Sequence, residues 1–342
     1  MKKKIVFVVN QKSGTSDKAL VPEIINNVID KAKFDYEIMK TEYAGHACEI
    51  AARARDEHKD AVVAVGGDGT MNEVARSLVH SDTALGIVPC GSGNGLARHL
   101  QLPMNTKKAL ELINMYEVHT LDYGIIDNHP FFCTCGMGFD AFVSMKFAQS
   151  GKRGPISYAE NILREGLKYK PETYIVHDGD STNEYKAFLI SCANASQYGN
   201  NAYIAPRASM SDGLMDVIIM EPFDILEAPH ISMDMFNKTL DKNTKIKTFQ
   251  SKKLNIKRSA PGVIHFDGDP VMAGEDIEIE IKEKGIRMIV NPYGDKNIRK
   301  PNMIQNVMSD IFNEINVMRE DLTKQGKYIQ AQGKAIQKKL NI

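Results

Sequence analysis

The sequence predicts an α/β fold in which an N-terminal, doubly wound, mainly parallel sheet is followed by a C-terminal β-rich sandwich domain and a long C-terminal helix. Apolar strand segments alternate with helical segments up to about residue 125, and short strand segments then follow one another closely to about residue 295. Alternating strands and helices form parallel sheets covered by helices, whereas closely spaced strands form antiparallel sandwiches or barrels. We therefore expect three parts, at residues 1–125, 126–295 and 296–342.

The first part is expected to contain four strands, each followed by a loop and a helix. Continuous apolar runs predict strands that are buried on both faces. These runs are residues 4–9, 36–39, 61–65 and 85–88. Helices are expected from near Asp17, over 46–58, over 71–80 and after Gly95. Ligands bind such sheets where loops leave the carboxyl ends of the strands, so these loops are where a site is expected.

The second part contains eight short strand candidates and two helical segments. The strand candidates are residues 131–135, 173–177, 185–191, 214–220, 252–257, 263–266, 277–281 and 287–290. The helical segments lie near 156–168 and 224–240. In the third part, apolar residues from Ile304 to Ile336 recur in steps of three and four, interrupted by Gln325 and Gln332. This spacing predicts one face of a long helix, and we expect that helix to mediate self-association into a homo-oligomer.

Composition narrows the function classes. The formal net charge is zero, so no overall field attracts nucleic acid or an anionic membrane. The five cysteines include no CxxC pair and indicate reduced thiols in a cytoplasmic protein. No stretch approaches the roughly 18 apolar residues of a membrane-spanning helix, and the apolar run after Lys4 is too short for a signal peptide. We therefore expect a cytoplasmic protein with no nucleic-acid partner, which meets any membrane from the aqueous side.

The loop Gly66–Thr70 carries the strongest chemical signal. Glycines between a strand and a helix let backbone amides approach phosphate groups without a Cβ atom in the way, and the amides that begin the next helix complement negative charge. Asp68 would be costly beside phosphates without a cation, which implies Mg²⁺. A structural alternative is a tight turn in which Thr70 caps the helix and Glu73 completes a capping box.

Two other loops follow predicted strands at the same edge of the sheet. Asn10–Gly14 follows the first strand, and Pro89–Gly95, with three glycines and the hydroxyl of Ser92, follows the fourth. No GxxxxGK[ST] phosphate loop occurs, and the glycines at 91, 93 and 95 do not have GxGxxG spacing. The sequence therefore supports neither a Walker-type ATPase nor a nicotinamide dehydrogenase.

A second group of candidate residues is the acidic pair Asp267 and Asp269, which flank Gly268 after a strand-like segment. An alcohol must lose its proton as it attacks phosphorus, so a phosphotransferase needs a base near the acceptor hydroxyl. Like-charge repulsion within the pair is expected to raise one of the two pKa values. The alternative is an ordinary Asp-Gly hairpin turn.

Taken in order, these segments resemble the diacylglycerol kinase and sphingosine kinase superfamily, in particular the soluble bacterial lipid kinases. The matching segments are Asn10–Gly14, Gly66–Val74, Pro89–Asn94, Gly138–Ala141, Ser211–Asp216 and Asp267–Asp269. The resemblance covers about residues 4–295. It implies an NAD kinase-like α/β nucleotide domain, a β-rich domain, and an active site in the cleft between them.

The resemblance also implies roles for residues at matching positions. Asp267 and Asp269 would supply the catalytic base, and Asp68 would serve Mg²⁺·ATP or accept the substrate proton. The ATP site would be lined by Asn10, Gln11, Lys12, Ser13, Gly14, Thr41, Gly66, Gly67, Asp68, Gly69, Thr70, Glu73 and Ser92. Asp140 would lie near the lipid headgroup. A structural metal would be held by Ser209, Asp212 and Leu214.

Two residues depart from the family pattern. Gln11 replaces the proline of the Asn-Pro form, and Asp269 replaces the glutamate of Asp-Gly-Glu with a side chain one methylene shorter. A displacement of about 1 Å can cost on the order of 100-fold in rate, so a nucleotide-binding regulatory module without turnover is one alternative. NAD kinase is another, because it shares the Gly-Gly-Asp-Gly loop, although its Thr-Gly-Ser-Thr-Ala type segment is missing from this sequence.

The sequence thus predicts an ATP-dependent lipid kinase and leaves the acceptor lipid open. Residues 89–97 resemble the sphingosine kinase form, whereas Ser144 stands where those kinases carry an acid, and residues 138–141 resemble the diacylglycerol type. Residues 242–258 hold several lysines and an arginine but no acid, which is typical of a solvated strand face. Alternatively, these cations contact anionic headgroups and make the protein peripheral to the membrane.

Overall fold

A computed structural model of the chain describes residues 2–10, 20–150, 169–179, 181–224 and 226–294. The chain divides into two units, residues 1–298 and 299–342, and the second lies wholly outside the described residues. The expected tail helix therefore lies outside them too, as do the helix expected over 156–168 and the residues near Asp17 at the expected start of the first helix.

The first half of the chain forms a parallel sheet covered by helices, as expected. Its strands are β1 (Lys3–Val9), β2 (Phe34–Lys40), β3 (Ala61–Gly66) and β4 (Ala84–Pro89). Its helices are α1 (Val21–Val28), α2 (His46–Asp56), α3 (Asp68–Leu78), α4 (Gly95–His99) and α5 (Thr106–Ile113). The strands lie in the order β2-β1-β3-β4 with parallel pairing throughout. Every residue of β3 and β4 is buried, because helices cover both faces of the sheet.

The second half is rich in antiparallel strands. Its helices are α6 (Phe139–Ser150) and α7 (Ala228–Asn237). Its strands are β5 (Val118–Ile126), β6 (His129–Phe131), β7 (Thr134–Gly138), β8 (Glu172–Asp178), β9 (Ser181–Ala187), β10 (Leu189–Ala193), β11 (Gln197–Gly199), β12 (Ala202–Tyr203), β13 (Met215–Met220), β14 (Ile246–Ser251), β15 (Lys253–Arg258), β16 (Gly262–Phe266), β17 (Asp269–Ala273) and β18 (Asp276–Ile289).

One long strand connects the two halves. β18 pairs in parallel with β4 through Met288 and Leu85, and it pairs antiparallel with β5 and β15. A ten-stranded sheet therefore runs in the order β2-β1-β3-β4-β18-β15-β8-β9, with β5 and β6 attached beside β18. The parallel sheet and the β-rich region are thus parts of one hydrogen-bonded structure.

The β-rich half is a sandwich. A six-stranded sheet in the order β14-β13-β10-β7-β16-β17 faces the antiparallel part of the ten-stranded sheet. Their shared core combines buried side chains of the six-stranded sheet, such as Ile190 and Val217, with those of the ten-stranded sheet, such as Ile256 and Ile279. In β15 and β18 buried and exposed residues alternate, as expected for strands with one covered face.

Several local expectations were wrong. Helix α3 begins at Asp68 with Gly67 as its N-cap, so Thr70 lies inside the helix and the capping box does not form. The two strands expected over 277–281 and 287–290 are one continuous strand, β18. Helix α7 is shorter than the 224–240 segment. Helix α6 was not predicted, because its apolar residues do not gather on one face.

The basic segment 242–258 is locally neutralised. Five of its lysines pair with acidic residues of adjacent elements, and most of these side chains are well exposed. The pairs are Lys245–Glu227, Lys247–Glu221, Lys252–Glu283, Lys253–Glu278 and Lys257–Asp276. Such exposed pairs contribute little to stability. Their acids do, however, reduce the positive field that an anionic surface would meet here.

Arg258 differs from these lysines because it is buried. Its guanidinium donates hydrogen bonds to the carbonyl oxygens of Gly262 (2.8 Å), Ala273 (2.9 Å) and Gly274 (3.0 Å), and more weakly to that of Val263 (3.4 Å). The residue is only 7% exposed, and burial lowers the pKa of its guanidinium. Arg258 therefore holds together the open end of the β16–β17 hairpin. The turn of this hairpin, Asp267–Asp269, is at the opposite end.

We expect Arg258→Met to lower the free energy of unfolding by about 2–4 kcal/mol, because several carbonyl groups lose their donors in a buried setting. The neighbouring Lys257→Met is the matched control, since Lys257 is 51% exposed and pairs with Asp276 at 3.6 Å. That control is expected to stay within about 0.5 kcal/mol of the unsubstituted protein. Urea denaturation measures both, and equal effects of the two substitutions would contradict the role assigned to Arg258.

Candidate active site

The carboxyl ends of the four parallel strands lie side by side. In the register, Val9 pairs with both Lys40 and Val65, and Gly66 pairs with Pro89. Backbone hydrogen bonds continue past these ends, from Asn10 to Val65 (3.1 Å), from Thr41 to Val9 (3.0 Å) and from Cys90 to Gly66 (2.7 Å). The predicted residues Asn10 and Thr41 and the two glycine-rich loops therefore share one edge of the sheet.

The two glycine-rich loops touch backbone to backbone. A Cβ atom at Gly91 would lie 2.5 Å from the Cα atom of Gly67, and one at Gly67 would lie 3.1 Å from the Cα atom of Gly91. At Gly66 a Cβ atom would collide with the side chain of Thr70. Only glycine allows these approaches, so the glycines are required by the packing of the loops as well as by any ligand.

The Asp68 carboxylate fastens the second loop to the first. Its Oδ2 accepts a hydrogen bond from the backbone N–H of Asn94 (2.8 Å), and its Oδ1 accepts one from Gly95 (2.7 Å). Burial raises the pKa of the Asp68 carboxyl, and the two amide hydrogen bonds oppose that effect. Asn94 itself adopts a left-handed conformation (φ 52°), and its side-chain amide both accepts from and donates to the backbone of Gly91.

A hairpin from the β-rich half packs against the same loop. The backbone N–H of Asn200 donates to the carbonyl oxygen of Gly93 (3.1 Å), and a Cβ atom at Gly199 would lie 3.0 Å from the Cα atom of Gly93. Nearby, the Nδ1 of His99 accepts a hydrogen bond from the backbone N–H of Ser196 (3.1 Å). Burial lowers the pKa of His99 to about 4, which keeps this acceptor neutral.

Two of the other predicted ATP-site residues, Asn10 and Glu73, have structural partners of their own. The Asn10 side chain donates to Thr70 Oγ1 (2.9 Å), which links the first loop to helix α3. Glu73 accepts a hydrogen bond from the backbone N–H of Ala47 (3.2 Å) at the start of α2. Ser92 is exposed at the tip of its loop, and Gln11, Lys12, Ser13 and Gly14 lie outside the described residues. The ATP-site assignment of this set stays a prediction.

Asp267 sits in a tight turn and is held by the backbone. It adopts a left-handed conformation (φ 53°). Its Oδ1 accepts hydrogen bonds from the amides of Cys133 (2.7 Å) and Thr134 (3.1 Å), and its Oδ2 accepts one from Phe132 (2.8 Å). Burial raises the pKa of Asp267 to about 6, against the lowering effect of these amides and of Arg76.

Cys133 connects the two acidic motifs in space. Its thiol is buried, which raises its pKa well above the usual range, and the negative charges of Asp267 and Asp68 raise it further. A direct contact also joins the two motifs: Arg76, on the helix α3 that begins at Asp68, donates to Asp269 Oδ2 at 2.7 Å. Helix α3 and the acidic turn, Asp267–Asp269, are therefore neighbours in the fold.

Asp269 binds Arg76. The Arg76 guanidinium of α3 donates to Asp269 Oδ2 at 2.7 Å and lies over the ring of Phe266, 4.8 Å from its centroid. The expectation that repulsion between the paired acids raises a pKa is not supported, because burial is the main cause of the shift at Asp267. The role of Asp269 in catalysis stays a prediction.

Asp140 lies beneath the acidic turn in a buried polar cluster. Its Oδ2 accepts hydrogen bonds from His265 Nε2 (3.0 Å) and from the Tyr198 hydroxyl (3.1 Å), and its Oδ1 accepts one from the backbone N–H of Ala141 (2.8 Å). The Asp140 side chain is 10% exposed. Contact with a lipid headgroup stays a prediction for Asp140, and the structure adds that its carboxylate already has three donors.

The residues predicted to hold a structural metal form a hydrogen-bonded turn. Asp212 Oδ1 accepts from the backbone N–H of Leu214 (3.2 Å), and the hydroxyls of Ser209 and Ser211 lie 3.2 Å apart. Across the part of the chain that the structure describes, no three His, Cys, Asp or Glu side chains come together as a metal-binding group. The metal assignment is therefore only a prediction.

A cavity of about 480 Å³ lies beside β18 and contains none of the predicted site residues. It is lined by His80, Ser81, Asp82, Thr120, Lys284, Gly285, Ile286 and Arg287. Among the helices described, none is both long and apolar enough to cross a membrane.

The fold and the arrangement of the site define a class of α/β enzyme with glycine-rich loops at the carboxyl edge of its sheet. Residues 4–126 match the model of the diacylglycerol kinase catalytic domain. Residues 133–289 match the model of the YegS C-terminal NAD kinase beta sandwich-like domain. Together the two models cover most of the sequence, and the chain belongs to the diacylglycerol kinase-like lipid kinase superfamily.

Curated relatives and solved structures agree with this family. A diacylglycerol kinase of Staphylococcus saprophyticus is 25% identical over 79% of this chain and 90% of its own length. One of Staphylococcus carnosus is 24% identical over 89% of this chain and 99% of its own length. The crystal structure of a putative diacylglycerol kinase from Bacillus anthracis superposes with a TM-score of 0.68 at 22% identity, covering 85% of this chain and 98% of that one. The expected family and fold class are confirmed.

We expect Gly91→Ala to destabilise the protein by about 1–3 kcal/mol, because the new methyl group overlaps the backbone of Gly67. Gly69→Ala is the matched control: Gly69 belongs to the facing loop, but a Cβ atom there would meet nothing within 4 Å. Since Gly69 lies in the first turn of α3, its replacement is expected to be neutral or to stabilise by up to about 1 kcal/mol. Thermal and urea unfolding compare the two variants. A Gly91→Ala protein as stable as the control would show that the loops are not in contact.

Proposed function

We propose that the protein is an ATP-dependent kinase that phosphorylates a hydroxyl group of a membrane lipid between the glycine-rich loops and the Asp267 turn. The observation that carries this proposal is the 2.7 Å hydrogen bond from Arg76 to Asp269, which joins helix α3, beginning in the first glycine-rich loop, to the turn that holds the buried Asp267 carboxylate. Membership of the family supports a lipid kinase in general. The roles of individual residues are part of this proposal.

ATP would bind at the edge of the parallel sheet. The first N–H groups of α3 have no acceptor within their own helix and carry the positive end of its dipole, so they suit phosphate oxygens. Asn10 and Thr41 flank this position on the neighbouring strands. Ser92, exposed at the loop tip, would reach the phosphates or the ribose with its hydroxyl.

Magnesium would arrive with the nucleotide. Mg²⁺ is commonly held by one or two carboxylates together with phosphate oxygens and water, so the lack of a three-residue cluster among the described side chains is compatible with it. Asp68 is the carboxylate of the glycine loops; its oxygens accept from the amides of Asn94 and Gly95, and it would lie beside the phosphates. When bound, the ion would neutralise charge on the phosphates.

Asp267 has the properties of a general base. Its Oδ1 accepts two amide hydrogen bonds and is saturated, whereas Oδ2 accepts one and keeps a lone pair. A pKa near 6 leaves the carboxylate ionised at neutral pH yet basic enough to take a proton. In the proposed step the substrate oxygen attacks the γ-phosphorus, its proton moves to Asp267 Oδ2, and ADP leaves.

The acceptor is proposed to be a neutral lipid such as diacylglycerol. A sphingoid base carries an ammonium group that needs an anionic partner. Asp140, the acid in the segment expected near the headgroup, already accepts from His265, Tyr198 and the Ala141 amide. Its carboxylate is therefore a poor partner for a cation, which favours a substrate that presents only a hydroxyl.

A nucleotide-binding module without turnover is the second candidate. One observation favours it: Asp269, the shorter residue of the acidic motif, is engaged with Arg76 at 2.7 Å. If catalysis requires both acids, this ion pair removes one of them. An experiment with labelled ATP separates the two candidates and also tests the NAD kinase alternative.

We expect the purified full-length protein, given Mg²⁺ and ATP labelled at the γ-phosphate, to transfer label to diacylglycerol in phosphatidylcholine vesicles. Parallel reactions contain sphingosine, phosphatidylglycerol or NAD. Lipid extraction followed by chromatography is expected to show at least about tenfold more label on diacylglycerol than on sphingosine, because a site without an anionic partner loses on the order of 1.4 kcal/mol or more for the amine. Label on NAD would support an NAD kinase, and ATP binding without any product would support the module.

We expect Asp267→Asn to lower kcat by about 10²–10⁴-fold, the usual contribution of a general base, while ATP affinity changes little. In the unsubstituted protein kcat/KM should rise as the pH rises through about 6, since the base must be ionised, and this limb should vanish from the residual activity of the variant. The control is Asp276→Asn, an exposed acid paired with Lys257. Normal turnover by Asp267→Asn would refute the assignment.

The same carboxyl should influence stability with a defined sign. Its pKa is raised on folding, from 3.8 to about 6, so the folded state binds the proton more tightly. The stabilisation from this tighter proton binding is complete below about pH 4 and is lost as the pH rises through about 6. This carboxyl thereby changes the free energy of unfolding by about 3 kcal/mol across that range. The difference in unfolding free energy between the unsubstituted protein and Asp267→Asn should therefore change across this window and stay constant above it.

A further inference from the structure

A buried polar cluster lies below the acidic turn, and two of its members, Tyr198 and His265, have been given no role of their own in the proposed function. Its members are Asp140 at the start of α6, Tyr198 in β11 and His265 in β16. The His265 side chain is 3% exposed and that of Asp140 is 10% exposed. Groups this deeply buried are expected to form a fully connected network, because each unsatisfied polar atom costs free energy.

The hydrogen bonds define one tautomer of His265. Its Nε2 faces Asp140 Oδ2 at 3.0 Å and must therefore carry a proton, because a carboxylate can only accept. On the other side of the ring, Nδ1 faces the backbone N–H of Gly268 at 3.4 Å, at the long end of the hydrogen-bond range, and must accept. The ring thus has a donor toward Asp140 and an acceptor toward Gly268.

The Gly268 contact matters because little else supports that residue. Asp267 and Gly268 are two consecutive left-handed residues, with φ values of 53° and 88°. A Cβ atom at Gly268 would meet nothing within 4 Å, so the outer side of the turn is open. The turn is therefore positioned from beneath, by the amides that bind the Asp267 carboxylate and by the imidazole of His265.

The cluster also reaches toward the nucleotide side. Tyr198 donates to the same Asp140 oxygen as His265, and its ring lies 6.4 Å from the His265 ring. Its neighbours Gly199 and Asn200 pack on the carbonyl and Cα atom of Gly93 in the second glycine-rich loop. A continuous chain of contacts thus runs from this loop through Tyr198, Asp140 and His265 to the acidic turn.

We propose that His265 is a positioning residue for the phosphotransfer site. Its Nδ1 accepts a hydrogen bond from the Gly268 N–H, and this contact sets the direction of the Asp267 Oδ2 lone pair relative to the glycine-rich loops. Asp140 and Tyr198 hold its ring in the required tautomer and orientation. This inference rests on the proposed function, because Asp267 is its base. Displacements of about 1 Å at such a base can cost on the order of 100-fold in rate.

Two substitutions separate this role from simple packing. In His265→Asn the side-chain oxygen stands where Nδ1 stood and can accept from Gly268, but nothing reaches Asp140. In His265→Gln the amide nitrogen stands where Nε2 stood and can donate to Asp140, but nothing accepts from Gly268. A role limited to satisfying the buried Asp140 predicts that His265→Gln is the milder change, whereas a role in positioning predicts that His265→Asn is.

The experiment uses the full-length protein and measures kcat with diacylglycerol vesicles, KM for ATP and the unfolding midpoint. His265→Asn is expected to keep kcat within about threefold, whereas His265→Gln should lose about tenfold or more with KM for ATP within about twofold, since only the base is misplaced. The reverse order, or equal losses, would overturn the proposal.

A second readout does not depend on activity. Hydrogen exchange at the Gly268 amide, followed by mass spectrometry of peptides covering 262–273, should be about tenfold faster in His265→Gln than in His265→Asn, because only the former lacks an acceptor. Equal exchange rates would overturn the inference even if no acceptor were phosphorylated. An unsubstituted protein inactive with every lipid but with the expected exchange pattern would refute the proposed function alone. If both His265 variants fail to fold, Tyr198→Phe is used instead. Hydrogen exchange at the Gly268 amide is then expected to be about two- to fivefold faster than in the unsubstituted protein, and an unchanged rate would overturn the inference.

Discussion

The contact between Asp68 and the amides of Asn94 and Gly95 organises the nucleotide side of the site. It fastens two loops that follow different strands, and it requires that Gly67 and Gly91 meet without side chains between them. A carboxylate in this position has two effects at once. It stabilises the loops through charge-assisted hydrogen bonds, and it places a carboxylate beside the helix start, where bound phosphates would need a counter-ion.

The sequence predicted the parts of the fold that depend on local pattern. The buried runs of β1 and β3 and the glycine-rich loops after β3 and β4 have signals within about ten residues, and the parallel sheet follows from them. The role of β18 could not be predicted in the same way, because a strand that pairs with β4 on one side and with β15 on the other is defined by distant partners. Helix α6 lacks the periodicity that marks an amphipathic helix, so pattern alone missed it.

The site shows the same division. Asp68 and Asp267 were recognised from their glycine-containing motifs, whereas Arg76, Tyr198 and His265 carry no motif. They join the site only because the fold brings α3, β11 and β16 together. The expected cause of a raised pKa was also wrong: adjacency of two acids suggested mutual repulsion, but Asp269 binds Arg76 and Asp267 owes its raised pKa to burial. Spacing in a sequence does not reveal which partners two neighbouring side chains bind.

The electrostatic character of Asp267 results from opposing effects that only the folded chain provides. Burial raises its pKa, while three backbone amides and the nearby Arg76 favour the ionised form and lower it. The outcome near 6 depends on the amides of Phe132, Cys133 and Thr134, which lie just before and at the start of β7 in the sandwich. The glycine-rich loops belong to the parallel half, and β18, Arg76 and the β11–β12 hairpin join that half to the sandwich. A buried carboxylate with a pKa near 6, held beside the helix of the first glycine-rich loop, is therefore a property of the joined halves, and neither half would provide it alone.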